Sequence, residues 1–460
     1  MNSASISNSR VIAEYVASTQ RRNLPPAVLD AARMCLADWI GVAMGAWQES
    51  AGQIVRAVTV GWHSTGRATV LLGGHACAPL AALCNGTLAH CLDFDDTYVK
   101  AVTHTSAPVW AATLALGEET GASEAEMLAA FVTGFETASR VGYGMGETVT
   151  ARGWHSTGVF GRLGAAAASA ALLKLDVERT LHALGAAATQ TSGLTASFGT
   201  MAKPFHAGKA AMDGVLSAQL AAGGFHAAVD LLEPAGGLDC ALVQDRSVHI
   251  KLAEFSGWEI LNNSFKPYAA CHLTHPAVGA GRALHAAKFD LAKVRAIRAE
   301  VGELANQITG GKSGAPASAL EGKFDLKYCV ALALHGHALS AADFREPMRP
   351  DPAVFATARK VTVAAKPEMT FASARLEIEF ENGRTMASDV PVAKGHPGNP
   401  MTWDDMRDKF SGLVEPRLGT QTAALFGLFH EFGGRRDVLL EIRSILGSLR
   451  AVGGEFVVKR

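Results

Sequence analysis

Between His90 and Pro108 the chain reads His-Cys-Leu-Asp-Phe-Asp-Asp-Thr-Tyr-Val-Lys-Ala-Val-Thr-His-Thr-Ser-Ala-Pro, with apolar, helix-like sequence on both sides. Three carboxylates (Asp93, Asp95, Asp96), a hydroxyl (Thr97) and an imidazole (His104) share this one stretch. Polar groups packed so densely between buried elements are costly to desolvate. They are tolerated where they bind or transform something polar: a wall that orients a substrate, or the support of a base. Asp and Thr also cap helices and form turns, and the residues alone leave both readings open. Clustered carboxylates suit Mg²⁺, but no second acidic cluster completes a shell, so no metal is expected. His104 precedes a helix, and an imidazole in such a place can be neutral near pH 7 and act as acid or base.

Further candidates stand downstream. His155 lies in Gly153-Trp-His-Ser-Thr-Gly158, where Ser156 or Thr157 could cap the following helix and its free N–H groups could hold an anion. Lys203, His206 and Lys209 lie in an apolar, small-residue segment, with His206 and Lys209 on one helix face. A lysine is seldom buried without a partner, and a carboxylate ligand would supply one for Lys203. Lys266, His272 and His275 sit where helical sequence gives way to mixed sequence, and pockets favour such boundaries. Two histidines three apart are a metal-type spacing, but no third ligand is identifiable. Tyr328, at the start of a helix, could donate from its phenol or serve as a core tyrosine. Nucleophile-elbow, P-loop, dinucleotide and HExxH signatures are missing. Histidines, lysines and aspartates with no evident cofactor suit removal of a proton beside a carboxylate, with cations holding the acid.

The elements that must position these groups are of two kinds. Residues 1 to about 265 read as helical. Pro25-Pro26 opens one helix with an apolar face from Val28 to Ile40. Glu124 to Ser139 is a second, and Asp176 is the expected N-cap of a third, Val177 to Ala188. Small residues crowd Gly158 to Ala222, which predicts closely packed helices; Gly161-Arg-Leu-Gly164 lacks the spacing of a phosphate loop. After Phe265 strands are expected at Val294 to Val301, Lys360 to Ala364 and Arg375 to Glu381, the last alternating Leu376, Ile378 and Phe380 with charged residues. Asn382-Gly383 turns the chain into Arg384 to Val390. Helices are expected at His275 to Lys288 and Lys327 to Ala338. Beyond Gly395-His-Pro-Gly-Asn-Pro400, Thr402 and Asp405 predict a capped helix from Trp403 to Val414. Two more helices follow at Gln421 to Glu431 and Asp437 to Leu449, and this tail is expected to pack on the first domain.

Bulk properties exclude some classes. The chain has 460 residues, 48% of them apolar, with a formal net charge of −1. That length allows two or three domains. Acids and bases are interspersed, so no nucleic-acid or membrane partner is expected. No apolar run is long enough to span a bilayer. The N-terminal segment has no signal-peptide core. Seven scattered cysteines, without a CxxC pair, fit reduced thiols in a cytoplasmic protein.

The ordered stretches His90 to Pro108, Gly153 to Leu163, Gly199 to Gly214, Ser264 to Val278, Phe324 to Leu334 and Lys394 to Phe410 resemble the MmgE/PrpD family. That family includes 2-methylcitrate dehydratases, cis-aconitate decarboxylases and iminodisuccinate epimerases. The resemblance implies an α+β fold of two domains. One is a large all-α helical domain of residues 1–267 and 403–460; the other is a smaller α/β lid domain of residues 268–402. It implies a homodimer that works without a cofactor on a small di- or tricarboxylate. By motif, the pocket residues of cis-aconitate decarboxylases fall on Asp93, Thr97, His104, Lys203, His275 and Tyr328. His155 matches a further pocket histidine, and His272 competes with His275. The implied roles are proton transfer by His104, oriented by Asp93 or Asp96, with Lys203 and His155 holding carboxylates. His275 or Tyr328 would serve the departing group, and Lys266 and His272 would contact substrate. After the Asp-rich segment the dehydratases carry His-Pro-Ser-Asp-Asn and the decarboxylases His-Pro-Ser-Gly. This chain has His104-Thr-Ser-Ala-Pro108, which matches neither. Three hypotheses follow: a dehydratase or decarboxylase; an epimerase using the same proton abstraction from two faces; or a carboxylate-binding paralogue without catalysis.

Overall fold

A computed structural model describes residues 7–447, apart from residues 144, 234–235, 245–251, 253–254, 346–347 and 349–350. By internal contacts the chain forms two units. The first holds Met1–Cys91, Asp95–Asn263 and Met406–Arg460; the second holds Leu92–Phe94 and Ser264–Asp405. The divisions fall a few residues from the expected 267/268 and 402/403. The assignment of Leu92–Phe94 to the second unit has no counterpart in the sequence reading.

The first unit is helical. Its centre is a set of long helices whose sequences leave them no polar face. All of Ser156–Leu172 is buried, as is nearly all of Ala78–His90 and the first twelve residues of Ser106–Thr120. These helices pack on one another, on Glu124–Gly142 and on Ala202–Ala222. The glycines make that closeness possible: a Cβ on Gly134 would stand 2.5 Å from the Gly164 carbonyl oxygen, and one on Gly86 would stand 2.9 Å from Gly208 Cα. Dense small residues therefore serve helix packing, as their composition predicts.

The helix ends follow the local chemistry. Pro26 stands in the first turn of Pro26–Gly45. Ser123 and Glu126 form a capping box on Glu124–Gly142. Asp176 accepts from the Arg179 N–H at 2.8 Å and caps Val177–Ala188. The helices Gln421–Glu431 and Val438–Gly447 also belong to this unit, and Gln421–Glu431 packs on Pro26–Gly45. The last two residues of the expected helix to Leu449 lie outside the described residues. A two-residue antiparallel pair, β1 (Ala68–Thr69) with β2 (His75–Ala76), was not anticipated. No helix among the described residues is long and apolar enough to cross a membrane.

The second unit carries a four-stranded mixed sheet: β3 (Val294–Val301), β4 (Val361–Ala365), β5 (Ala374–Phe380) and β6 (Thr385–Val390), in the order β4-β3-β5-β6. β3 and β4 are parallel; the other pairs are antiparallel. In β5, Ala374, Leu376, Ile378 and Phe380 are buried and the residues between them are not, as the alternation predicts. The turn after β5 has three residues: Gly383, at φ +78°, donates its N–H to Phe380 O, and the Phe380 N–H bonds to Arg384 O. Helices His275–Ala286 and Leu326–Leu334 pack on each other. The second ends four residues before the expected Ala338. Gly336, at φ +82°, ends it in a Schellman motif: its N–H bonds to Ala333 O, and the His337 N–H bonds to Leu332 O. Thr402 and Asp405 cap the helix Trp403–Leu418 reciprocally.

Candidate functional site

In the first unit, the helix Ala78–His90 ends on His90, and the helix Ser106–Thr120 begins two residues after His104. The connection between them folds back on itself. Tyr98 and Thr103 exchange backbone hydrogen bonds at 2.8 and 3.2 Å, around Val102 at φ +50°. A β-branched residue rarely adopts the left-handed conformation, and holding one there costs about 1–3 kcal/mol. The surrounding structure over-determines it: the Tyr98 hydroxyl donates to Glu259 at 2.5 Å, and the His104 N–H donates to Thr157 Oγ1 at 3.0 Å. Asp96 pins the next helix. It accepts from the Ser106 N–H at 3.3 Å, from the Ser106 hydroxyl and from Asn263 Nδ2 at 2.5 Å. Burial, and then the charge of Asp38, pushes the Asp96 carboxyl up to about 7. Both of its oxygens are engaged, so the capping reading describes Asp96. Thr97 is buried, and its hydroxyl has no hydrogen-bond partner among the described residues.

The fold-back places His104 beside His90 and Asp95. Asp95 Oδ2 lies 2.8 Å from His90 Nδ1 and 3.3 Å from His104 Nδ1. The side chains of His90 and Asp95 are closed to solvent, whereas that of His104 keeps 13% of its exposure. The His90 and His104 rings meet edge to face, with centroids 4.5 Å apart. Burial pulls the His90 imidazole down to about 4. Burial opposes ionisation of Asp95, but the His90 and His104 imidazoles together outweigh it and hold the acid well below the usual carboxylate range. An ionised Asp95 thus accepts from neutral His90. The donor atoms of these three residues lie within 4.8 Å of one another, which makes them the one metal-type grouping among the described residues. The His90 contact is a hydrogen bond, and His104 Nδ1 approaches the same carboxylate oxygen at 3.3 Å.

His155 joins the same neighbourhood. Its ring stacks on His90 at 5.6 Å and meets Phe198 edge-on at 5.0 Å, and its Nδ1 lies 3.1 Å from His206 Nδ1. His155 itself occupies the N-cap position of Ser156–Leu172 and makes no side-chain cap. Neither neighbour caps the helix as expected: Thr157 receives the His104 N–H, and Ser156 bonds to Thr150 at 2.9 Å. Gly193, at φ +113°, lets the chain pass the histidine pair; a Cβ there would stand 3.2 Å from the His206 ring. Lys203 is buried at 3% exposure, with its ammonium 5.3 Å from the Phe198 ring centroid. Burial, then the charges of His90 and Lys203, holds His155 well below its ordinary value. Burial, Arg162 and Lys203 do the same for His206. Lys209 turns the other way, onto Asp213, which also takes Arg162 at 3.0 Å.

The second unit holds the remaining candidates. Asp93 is left-handed at φ +52°, in the three-residue segment Leu92–Phe94. Two buried lysines clamp that segment. Lys266 donates to Asp93 O at 2.8 Å and lies 3.3 Å from its carboxylate, and Lys323 donates to Leu92 O at 2.8 Å. Lys266 was expected at substrate; here it supports Asp93. His275 Nε2 lies 3.1 Å from Ala270 O, and the His275 ring is 4.8 Å from that of His272. Tyr328 follows Asp325, which caps its helix, and its buried ring meets Phe355 at 5.8 Å. Burial, and then Cys329, pushes the Tyr328 phenol up to about 12.

Sequence reasoning placed Asp95 in the acidic stretch without a role of its own, and left out His90 and Gly193. His90 looks like the last residue of an apolar helix, and nothing local marks it. The five-residue step to Asp95 was the available signal.

The chain matches the MmgE/PrpD N-terminal domain over residues 10–251 and the MmgE/PrpD C-terminal domain over residues 268–430, and it belongs to this family. It is 27% identical over 421 residues to a cis-aconitate decarboxylase of Aspergillus terreus, covering 84% of both chains. It is 28% identical over 447 residues to the cis-aconitate decarboxylase-like protein oryM of Aspergillus oryzae, covering 89% of this chain and 91% of the relative. To the cis-aconitate decarboxylase of Homo sapiens it is 25% identical over 357 residues, covering 74% of both.

Proposed function

We propose that the protein is a cofactor-independent lyase for a small di- or tricarboxylate, and that it releases carbon dioxide from a cis-aconitate-like acid. One observation carries the reading. Lys203, His155 and His104 gather in one neighbourhood of the helical unit, and His104 alone of the His90–Asp95–His104 set keeps solvent access. The names of the relatives support the choice of decarboxylation within the lyase class.

In this reading the C–C bond to an allylic carboxylate breaks and its electron pair becomes a new alkene. The old double bond shifts its pair to the far carbon, which takes a proton. Lys203 and His155 hold the carboxylates left behind; a preorganised cation at the developing enolate-like charge stabilises the transition state more than the ground state. His104 moves the proton at Nε2. It gives the proton from the imidazolium, which Asp95 stabilises, and regains it from solvent.

The test is proton NMR in D₂O with cis-aconitate, citrate, 2-methylcitrate, tartrates and iminodisuccinate. Carbon dioxide release with one deuterium in a methylene product is expected. Deuterium at the α-carbon of an otherwise unchanged acid would overturn the lyase reading in favour of an epimerase. Loss of water alone would overturn decarboxylation.

A further inference from the structure

We propose that Asp95, braced by His90, is the positioning residue that fixes His104 as the Nδ1–H tautomer and so makes Nε2 its proton-moving atom. The inference rests on the role of His104 just given. It assigns a function to two residues that the family resemblance left without one.

The geometry carries it. Asp95 presents one oxygen, Oδ2, to both imidazoles, at 2.8 Å from His90 Nδ1 and 3.3 Å from His104 Nδ1. A carboxylate only accepts, so a ring nitrogen that bonds to it carries the proton; His90 Nδ1 makes that hydrogen bond, and His104 Nδ1 stands 3.3 Å from the same oxygen. The other Asp95 oxygen is buried without a hydrogen-bond partner among the described residues. The charge is therefore met at Oδ2, which bonds to His90 and which His104 approaches at 3.3 Å. That arrangement explains why a second histidine is present. With His104 alone, Asp95 would lose a donor whenever His104 moved toward substrate. His90 cannot move so: it is closed to solvent and wedged between the His104 ring, edge-on at 4.5 Å, and the His155 ring, stacked at 5.6 Å. His90 thus keeps one hydrogen bond to Asp95 permanently and leaves the carboxylate aimed at His104. When Nε2 takes a proton, the new imidazolium faces a carboxylate already in place, with no reorganisation at the moment of reaction. Which ring nitrogen is protonated is set by the bond the other makes.

The same three residues could instead bind a cation. In that case both Nδ1 atoms would present lone pairs and carry no proton, so the alternatives differ in a measurable way.

The experiment is nitrogen-15 NMR of the full chain, labelled at histidine, with resonances assigned from His90→Asn and His104→Gln. The folded wild-type protein should show His90 and His104 protonated at Nδ1 and bare at Nε2. Asp95→Asn should shift His104 toward the other tautomer and move the acid limb of the turnover–pH profile. It should also lower turnover on the order of 10²–10⁴-fold, with little change in KM. The wild-type spectrum needs neither a variant nor a substrate, so it decides the tautomer even if Asp95→Asn does not fold or the proposed substrate is wrong. An Nε2–H tautomer for His104 overturns the proposal. So does one equivalent of divalent metal in the purified protein that is lost in Asp95→Asn, or a folded Asp95→Asn with a wild-type pH profile. If His104→Gln keeps full turnover while the tautomer is as stated, the assignment of His104 fails and the hydrogen-bond geometry stands.

Discussion

Lys409 and Asp38 form an ion pair at 2.5 Å, with 3% and 1% of their side chains exposed. The helix that carries Lys409 belongs to the C-terminal part of the helical unit, and Asp38 lies on Pro26–Gly45. The pair fixes where the returning chain docks. Removing one partner of a buried pair leaves a charge without compensation and costs about 3–5 kcal/mol. Lys409→Met should lower urea-unfolding stability by that amount, and the double variant Asp38→Leu/Lys409→Met should recover most of it. Burial already raises the Asp38 carboxyl. Once Lys409 is gone, Asp38 can escape the penalty by protonating, so the loss should shrink as pH falls. A single variant within 1 kcal/mol of wild type at neutral pH would rule out this role.

Asp96 makes stability depend on pH in the opposite sense to most carboxylates. Its folded value of about 7 lies above the ordinary carboxylate value of about 3.9 that it regains on unfolding. The folded state therefore holds a proton that the unfolded state releases. The contribution is fully present below about pH 4 and is lost as pH rises through about 7, with a slope of up to about 1.4 kcal/mol per pH unit. Asp96→Asn should keep the acceptance from the Ser106 N–H, with its amide donating to the Ser106 oxygen, and flatten that slope. Urea titrations at pH 5, 6, 7 and 8 measure it; parallel curves for the two proteins would refute the assignment.

The lysine clamp on Leu92–Phe94 predicts a cost of another kind. Lys266→Met removes the ammonium 3.3 Å from the Asp93 carboxylate and deprives the Asp93 carbonyl of a donor. A loss of about 3–5 kcal/mol is expected at neutral pH. Lys323→Met removes a donor from the neutral Leu92 carbonyl, and about 1–3 kcal/mol is expected for that bond. The order of the two unfolding midpoints is the test: a larger loss for Lys323→Met would mean that Lys266 does not hold Asp93.

How much of this was legible depends on how local the cause is. The Asp176 cap, the Thr402–Asp405 box and the alternation of β5 were readable because each is set by residues within one turn or one strand. Gly336 ended a helix that the expected period would have continued to Ala338, because a left-handed glycine after His335 lets the last carbonyls bond to the Gly336 and His337 N–H groups. The site was half legible. His104, Lys203 and His155 stand out as polar residues in apolar sequence. His90 does not, because its role comes from a fold-back through Val102, a residue whose type argues against the conformation it adopts. The spacing of His272 and His275 was of metal type without an identifiable third ligand, and His275 Nε2 lies 3.1 Å from the Ala270 carbonyl oxygen five residues before it.

Lys203 adds to the local field around two histidines of the helical unit, after burial and their other cationic neighbours. It helps to depress both His155 and His206. In Lys203→Gln both histidines should titrate at higher pH by NMR, and the substrate carboxylate should lose a charged partner. A charge-assisted hydrogen bond contributes about 1.5–3 kcal/mol, so KM for a tricarboxylate should rise roughly 10- to 100-fold, by the usual tenfold per 1.4 kcal/mol. An unchanged KM, with the two histidines shifted as expected, would place the lysine outside the substrate contacts.

His104→Gln tests the centre of the reading. Glutamine can donate toward Asp95 Oδ2, which His104 Nδ1 approaches at 3.3 Å, and the backbone link to Thr157 does not involve the side chain. The fold should survive, with unfolding within about 1 kcal/mol of wild type. Glutamine cannot exchange a proton at neutral pH, so turnover should fall on the order of 10²–10⁴-fold. KM should change little, because Lys203 and His155 still hold the carboxylates. The pH profile separates a lost proton carrier from a distorted pocket. If His104 carries the proton, the residual activity of the variant should lose the limb that reports imidazole titration. A displaced substrate would instead lower the whole curve and leave its shape. Turnover within threefold of wild type, in a folded protein, would remove His104 from the mechanism and leave His155, backed by His206, as the next group to test.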